Sequence, residues 1–170
     1  MEATLPRWLK PGIVVLTSDQ LKRIPRAEAQ MLGGALDEMG KRSGKAQGLK
    51  RAITTWSSLI TSDNRIVLSI GAASSSSGLP TMRGLLRVGE RQLFVHRDPN
   101  GPYVQVSPTC VLDFYVHESC QRKGDGRQLF DAMLAHEAEF AGEWAVFYHS
   151  CAATADRICS ARALPAAAPG

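Results

Sequence analysis

The sequence predicts an α/β domain, and three observations carry that reading. Short runs rich in β-branched and aromatic residues alternate along the chain with segments of helical period. The most strand-like run, Thr109–His117, leads through the glycines Gly124 and Gly126 into a helical pattern. A chain of 170 residues, 44% apolar and 21% charged, is enough for one domain with a real core.

Taken in order, Ile13–Leu16 within Pro11–Thr17 reads as a first strand. Ala29, Leu32, Leu36 and Met39 recur at helical spacing and predict a helix over Arg26–Gly40, weakened by Gly33 and Gly34. Ser43–Leu49 is broken by glycine, which puts Gln47 on a loop or a helix end. Ser57–Ser62 is polar and turn-like. Arg65–Ile70 is a strand, and Ala72–Gly78, with Ser74–Ser77 in a row, is a loop. Met82–Val88 and Glu90–His96 read as a hairpin joined at Gly89. Asp98-Pro99-Asn100-Gly101-Pro102 is a dense turn signal, and Val104–Val106 continues the sheet. After the Thr109–His117 strand, Leu129, Phe130, Met133 and Leu134 form one apolar helix face. Trp144–His149 is a further strand, and Ala161–Gly170 frays.

Composition narrows the class. No apolar run approaches the roughly 18 residues of a membrane span. Met1–Lys10 carries Glu2 and Pro6 and does not read as a secretory leader. The four cysteines, Cys110, Cys120, Cys151 and Cys159, are too few for a disulfide scaffold and read as reduced thiols of an intracellular protein. His117 with Cys120, and His149 with Cys151, lack the Cys-x-x-Cys spacing of a zinc site, so no metal is expected. The net charge of +4 resides in residues 1–64, with ten Lys/Arg against six Asp/Glu; the remainder is balanced. The excess gathers at Lys41, Arg42, Lys45, Lys50 and Arg51, which reads as a solvated face or as a docking patch for an acidic partner. Interleaved aromatics are missing there, so nucleic acid is not the expected partner.

The glycine turn carries the chemistry. A strand entering a helix through Gly124-x-Gly126 leaves main-chain N–H groups at the positive end of the helix dipole, where phosphate oxygens bind. Arg122, Lys123 and Arg127 add positive charge. A dinucleotide fold wants a glycine at position 129, which is Leu129; a P-loop wants Lys-Ser/Thr after Gly126, which is followed by Arg127-Gln128. Gln121-x-x-Gly124-x-Gly126 after a strand instead resembles the acetyl-CoA pyrophosphate motif of the GCN5-related N-acetyltransferases.

The wider wording is more specific. Cys110-Val-Leu-Asp-Phe-Tyr-Val-His-Glu-Ser-Cys-Gln-Arg-Lys-Gly-Asp-Gly-Arg-Gln-Leu-Phe130 closely resembles the α-tubulin N-acetyltransferase family. Gly44-Lys45-Ala46-Gln47-Gly48-Leu49 is similar to that family's Lys-Ala-Gln-x-Leu segment, and Gln92-Leu93-Phe94-Val95 has a counterpart too. The resemblance covers roughly residues 10–135. It implies a GCN5-related fold, a mixed and mostly antiparallel sheet flanked by helices. It also implies transfer of an acetyl group from acetyl-CoA to a lysine side chain of α-tubulin on the lumen side of the microtubule. The protein would then be cytoplasmic and cytoskeletal, on microtubules, those of a cilium or flagellum among them. Gln47 matches a glutamine needed for activity and Cys110 an active-site cysteine. Acetyl-CoA would be held by Phe114, Tyr115, Val116, His117, Glu118, Ser119, Cys120, Gln121, Arg122, Lys123, Gly124, Asp125, Gly126 and Arg127.

Acetyl transfer needs a held thioester, a donor for its oxygen, and a neutral amine; at a pKa of about 10.4 only roughly one lysine in a thousand is neutral near pH 7.4. Cys110, Asp113, His117 and Glu118 are candidates for a base. Regular alternation puts Asp113 with Val111, Tyr115 and His117, and Cys110 on the opposite face. An amide does not titrate, so Gln47 would orient the lysine or a water. Beyond Leu134 the wording diverges; Asp156-Arg157 is the one trace of the family's Asp-Arg-Pro-Ser segment. The organisation read from this is an acetyltransferase domain over residues 1–141 and a divergent tail over 142–170, with one strand and then disorder. Two other readings stand beside the enzyme: a non-catalytic relic that binds tubulin or CoA, and an acetyltransferase for another amine.

Overall fold

A computed structural model describes residues 4–73, 78–96, 102–138 and 147–148. Five strands form one sheet in the order β1 (Gly12–Thr17), β2 (Arg65–Gly71), β3 (Thr81–Glu90), β6 (Thr109–Val116), β7 (Phe147–Tyr148). All neighbours are antiparallel except β6 and β7, which run parallel at Cys110 and Val111. A separate two-stranded ribbon pairs β4 (Leu93–His96) with β5 (Tyr103–Val106). The sheet is therefore mixed and mostly antiparallel, as expected, and Phe147–Tyr148 adds a strand to it from within the 142–170 segment.

Helices cover both faces. α2 (Arg26–Ala46), with the short α1 (Ser18–Lys22) and α3 (Trp56–Ile60), closes a core of Leu32, Leu36, Met39, Leu59, Leu68 and Leu85. α4 (Asp125–Ala138) lays Leu129 and Met133 on Val67, Leu86, Val88 and Val111 on the other face. These side chains are essentially out of water, and each contributes about 1.5–3 kcal/mol by burial.

Three expectations change. The helix does not stop at Gly40 but runs to Ala46, and Gln47 caps its end. Gly40 serves a close approach: a Cβ there would overlap the carbonyl oxygen of Thr54, so only glycine lets residues 52–56 lie against the helix. Ser57–Ser62 is largely helical rather than a turn, because Thr55 and Ser58 form a reciprocal capping box for α3. Gly89 is not a hairpin turn. It sits inside the continuous strand β3 opposite Cys110, where a Cβ would strike the Asn64 side-chain amide. The hairpin lies further on, between β4 and β5. The Ser74–Ser77 loop, the core of the Asp98–Pro102 turn, Trp144, Cys151, Asp156, Cys159 and the frayed end lie outside the described residues.

Two glycines of α2 provide a test. Gly40→Ala should destabilise the domain by about 2 kcal/mol or more through overpacking. Gly34→Ala, where nothing lies within 4 Å, should stabilise it by about 0.5–1 kcal/mol through helix propensity. Denaturant midpoints check both, and equal effects would contradict the packing described.

Candidate active site

β6 is the axis of the site. Its register against β3 slips between Arg87 and Val88: Arg87 pairs with Asp113 but Val88 pairs with Val111, which leaves Leu112 as an extra residue in a bulge. Directly opposed residues share a face. Cys110, opposite Gly89, therefore lies on the same face as Asp113 and Tyr115, opposite Arg87 and Leu85. Simple alternation put Cys110 and Asp113 on opposite faces; the bulge cancels that. Phe114 and Val116 point to the α4 side.

Asp113 is buried, with 1% of its surface exposed. Ser43 Oγ donates to its Oδ1 at 2.6 Å, Thr54 Oγ1 donates to Oδ2 at 2.6 Å, and Gln47 Nε2 donates to Oδ1 at 3.1 Å. Gln47 Nε2 also donates to Ser43 Oγ at 2.8 Å. One carboxylate thus ties the end of α2, the segment after it and β6 together. Behind it, the buried Arg87 guanidinium donates to Ile53 O at 2.7 Å and to Ser58 Oγ at 2.8 Å. Burial pulls its pKa below the ordinary arginine value, Arg91 adds to that, and Asp113 opposes it.

The proposed bases are each constrained. The Cys110 thiol is buried, donates weakly to Pro108 O at 3.6 Å, and is pushed up by burial, with Arg91 opposing. Tyr115 donates to Glu118 Oε1 at 2.7 Å. Burial raises the phenol pKa, as do the Glu118 hydrogen bond and charge; that same bond lowers the Glu118 carboxyl and makes it a weaker base. Arg42 Nη1 lies 2.7 Å from His117 Nε2, and His117 Nδ1 lies 2.9 Å from Ser119 Oγ and accepts from the Ser119 main-chain N–H at 3.3 Å. Sequence reasoning singled out Gln47, Cys110 and Asp113 but missed Ser43 and Thr54. Ser43 was legible in principle, four residues before Gln47 and so on its helix face.

At the other end of β6 the chain passes a 3₁₀ turn (Glu118–Cys120) and reaches α4 through two left-handed residues, Arg122 at φ 62° and Gly124 at φ 93°. Gln121 Nε2 donates to Val116 O at 2.9 Å and Lys123 Nζ to Ser119 O at 2.8 Å, which fixes the turn. Among the described residues, none accepts a hydrogen bond from the main-chain N–H groups of residues 122–127. At Gly124 the nearest atom to a built Cβ is Gln128 Nε2 at 3.9 Å, so the turn is open. Gly126 rests on Phe114, 3.4 Å from the same test position. The Asp125 side chain points inward instead, accepting from Ser69 Oγ at 2.6 Å and from Arg83 at 2.7 Å. The turn therefore offers N–H donors and the charges of Arg122 and Arg127 to an anion. Among the described residues no three His, Cys, Asp or Glu side chains converge as a metal site, and no helix is long and apolar enough to cross a membrane.

A groove of about 570 Å³ lies beside the site, lined by Glu38, Lys41, Arg42, Lys45, Ala46 and Glu118. Arg42 is turned inward to Glu38 and His117, so the outward charge of the α2 end comes from Lys41 and Lys45, with Lys50 and Arg51 exposed just beyond.

A mixed sheet, a long helix over one face and a strand–glycine turn–helix on the other define the GCN5-related acetyltransferase fold. The F44-site mutant of the BH1408 protein from Bacillus halodurans shares the architecture at a TM-score of 0.50 and 11% identity, covering 93% of this chain and 95% of that one. The description "GNAT acetyltransferase, Mec-17" matches residues 2–146, and the chain belongs to that family. It is 41% identical over 115 residues to the α-tubulin N-acetyltransferase of Tetrahymena thermophila (68% of this chain, 27% of the relative). It is 34% identical over 158 residues to that of Schistosoma japonicum (79% and 56%), and 48% identical over 99 residues to that of Aedes aegypti (58% and 35%). The chain thus spans between about a quarter and just over half of the length of these relatives. The match also runs past Leu134, where the resemblance in wording ended.

The thiols give a check. Because Cys110 is buried and burial raises its pKa, its thiolate is disfavoured and it reacts slowly. Iodoacetamide at pH 8 should modify the half-buried Cys120 well before Cys110. Peptide mass spectrometry reads the order; faster labelling of Cys110 would contradict it.

Proposed function

We propose that the chain transfers an acetyl group from acetyl-CoA to a lysine side chain of α-tubulin in microtubules. One observation carries the reading: β6 holds the Gln47–Asp113 pair in mid-strand and runs at its C-terminal end into an open, donor-rich turn. The domain would be residues 1–141, with β7 contributed by the 142–170 segment. The protein would work in the cytoplasm, on the microtubule cytoskeleton.

The residues present fit the acyl donor. The left-handed Gly124 and the N–H groups of residues 122–127 form a cradle that a diphosphate fills, and Arg122 and Arg127 balance its charge. The stretch Phe114–Arg127 would hold it, with the Asp125 side chain excepted, since that carboxylate is engaged with Ser69 and Arg83. When bound, acetyl-CoA supplies an activated acetyl group as a thioester. A main-chain N–H of the Cys110–His117 strand would polarise the thioester oxygen. Gln47 would orient the acceptor amine, and Cys110, on the same face, would line its approach and lend a weakly polar wall that favours the neutral amine. Lys41, Lys45, Lys50 and Arg51 would meet the acidic surface of tubulin.

Two measurements test this. Labelled acetyl-CoA with polymerised tubulin should give incorporation that Gln47→Ala reduces by about 100-fold or more. No incorporation by the unaltered chain, with CoA still bound, would favour a non-catalytic relic. Separately, changing Lys41, Lys45, Lys50 and Arg51 to glutamate should weaken co-sedimentation with microtubules about tenfold at low salt, the difference shrinking as salt rises. Equal sedimentation at every ionic strength would return those residues to plain surface.

A further inference from the structure

We propose that Asp113 is a positioning residue that decides which end of the Gln47 amide meets the acceptor amine. This rests on the reading of Gln47 above and adds a group that acts through it.

An ionised carboxylate offers lone pairs and no proton, so whatever faces it must donate. Gln47 meets that demand through Nε2, at 3.1 Å from Asp113 Oδ1. Ser43 enforces the same choice: its hydroxyl proton is directed to Oδ1 at 2.6 Å, which makes Ser43 Oγ an acceptor toward Gln47 Nε2 at 2.8 Å. Thr54 Oγ1 holds the second carboxylate oxygen at 2.6 Å, so the carboxylate cannot swing away. Two acceptors therefore grip one amide nitrogen. The planar amide then carries Oε1 on the side away from Asp113. A carbonyl oxygen, with two lone pairs, accepts the N–H of an amine and leaves the nitrogen lone pair for attack; an NH₂ group in its place would compete for that lone pair. Turning the amide over would set Oε1 against Oδ1 and leave a carboxylate with 1% exposure short of a donor. The small residues Gly40 and Gly44 belong to the same device, since they let the Ala52–Thr54 segment reach Asp113 from across the helix.

A role confined to folding is separated from this one by exchanging donor and acceptor. Gln47→Glu changes a half-buried side chain at a helix end and removes only the donor. Although glutamate is the better acceptor, it sets two carboxylates face to face, and kcat for acetyl transfer to polymerised tubulin should fall at least about tenfold with KM for acetyl-CoA unchanged. Adding Asp113→Asn restores the pair with roles exchanged, the new amide donating to the new carboxylate, and should recover activity over Gln47→Glu alone. Full activity of Gln47→Glu, or no recovery in a folded double variant, overturns the proposal. If Asp113→Asn prevents folding, the single Gln47→Glu variant and a second readout decide. In ¹⁵N spectra of the protein without acetyl-CoA, the Gln47 side-chain NH₂ should be protected from exchange with water compared with surface glutamines such as Gln128. An unprotected Gln47 amide overturns the proposal. The spectra need no substrate, so absence of tubulin labelling by the unaltered chain would defeat the tubulin reading while leaving the orientation of Gln47 decided.

Discussion

A carboxylate withdrawn from water must be surrounded by donors, and the way Asp113 satisfies that demand organises one whole side of this molecule. Its partners come from the last turns of α2 and from the segment that follows α2, a segment that Arg87 in turn binds through Ile53 O and Ser58 Oγ. None of these pieces is held to β6 by apolar contact alone. Gly40 and Gly44 of α2 make sense only in this light: they give up helix propensity so that main chain can pass close enough to deliver Thr54.

The same strand solves a different problem at its other end. There the chain leaves the sheet and enters α4 through two left-handed residues, and its main-chain donors have no acceptor among the described residues. Asp125, the acid that would spoil an anion site, is turned into the protein and neutralised by Arg83. The proposed acceptor site, beside Asp113 in mid-strand, and the proposed acyl-donor cradle, beyond the C-terminal end of β6, are thus set apart along one strand. This separation lets one rigid element fix the relation between two substrates.

Much of this was legible in the sequence. The strand–turn–helix over Thr109–Leu134 carries its own periodicity and turn residues, and the fold class followed from it. What could not be read was long-range. Glycines at 40 and 44 look like helix breakers until the main chain of Thr54 and of Arg51–Ala52 is seen lying against them; Gly89 looks like a turn until Asn64 is seen beside it. A one-residue bulge at Leu112 reverses the faces of Cys110 and Asp113, and nothing local in Val111-Leu112-Asp113 announces it. Arg42 illustrates the limit for charge: by composition it belongs to a basic patch, yet its guanidinium is directed to Glu38 and His117.

The central claim is that the bend between β6 and α4 is where the acyl donor binds. The most direct measurement is the change in backbone amide shifts as acetyl-CoA is added to ¹⁵N-labelled protein. The largest changes are predicted for the amides between Phe114 and Arg127, with smaller ones passing along β6 to Asp113. Saturable binding whose shifts cluster elsewhere, for example around the groove of Thr17, Asp63 and His136, or no shifts at all at millimolar acetyl-CoA, would contradict it.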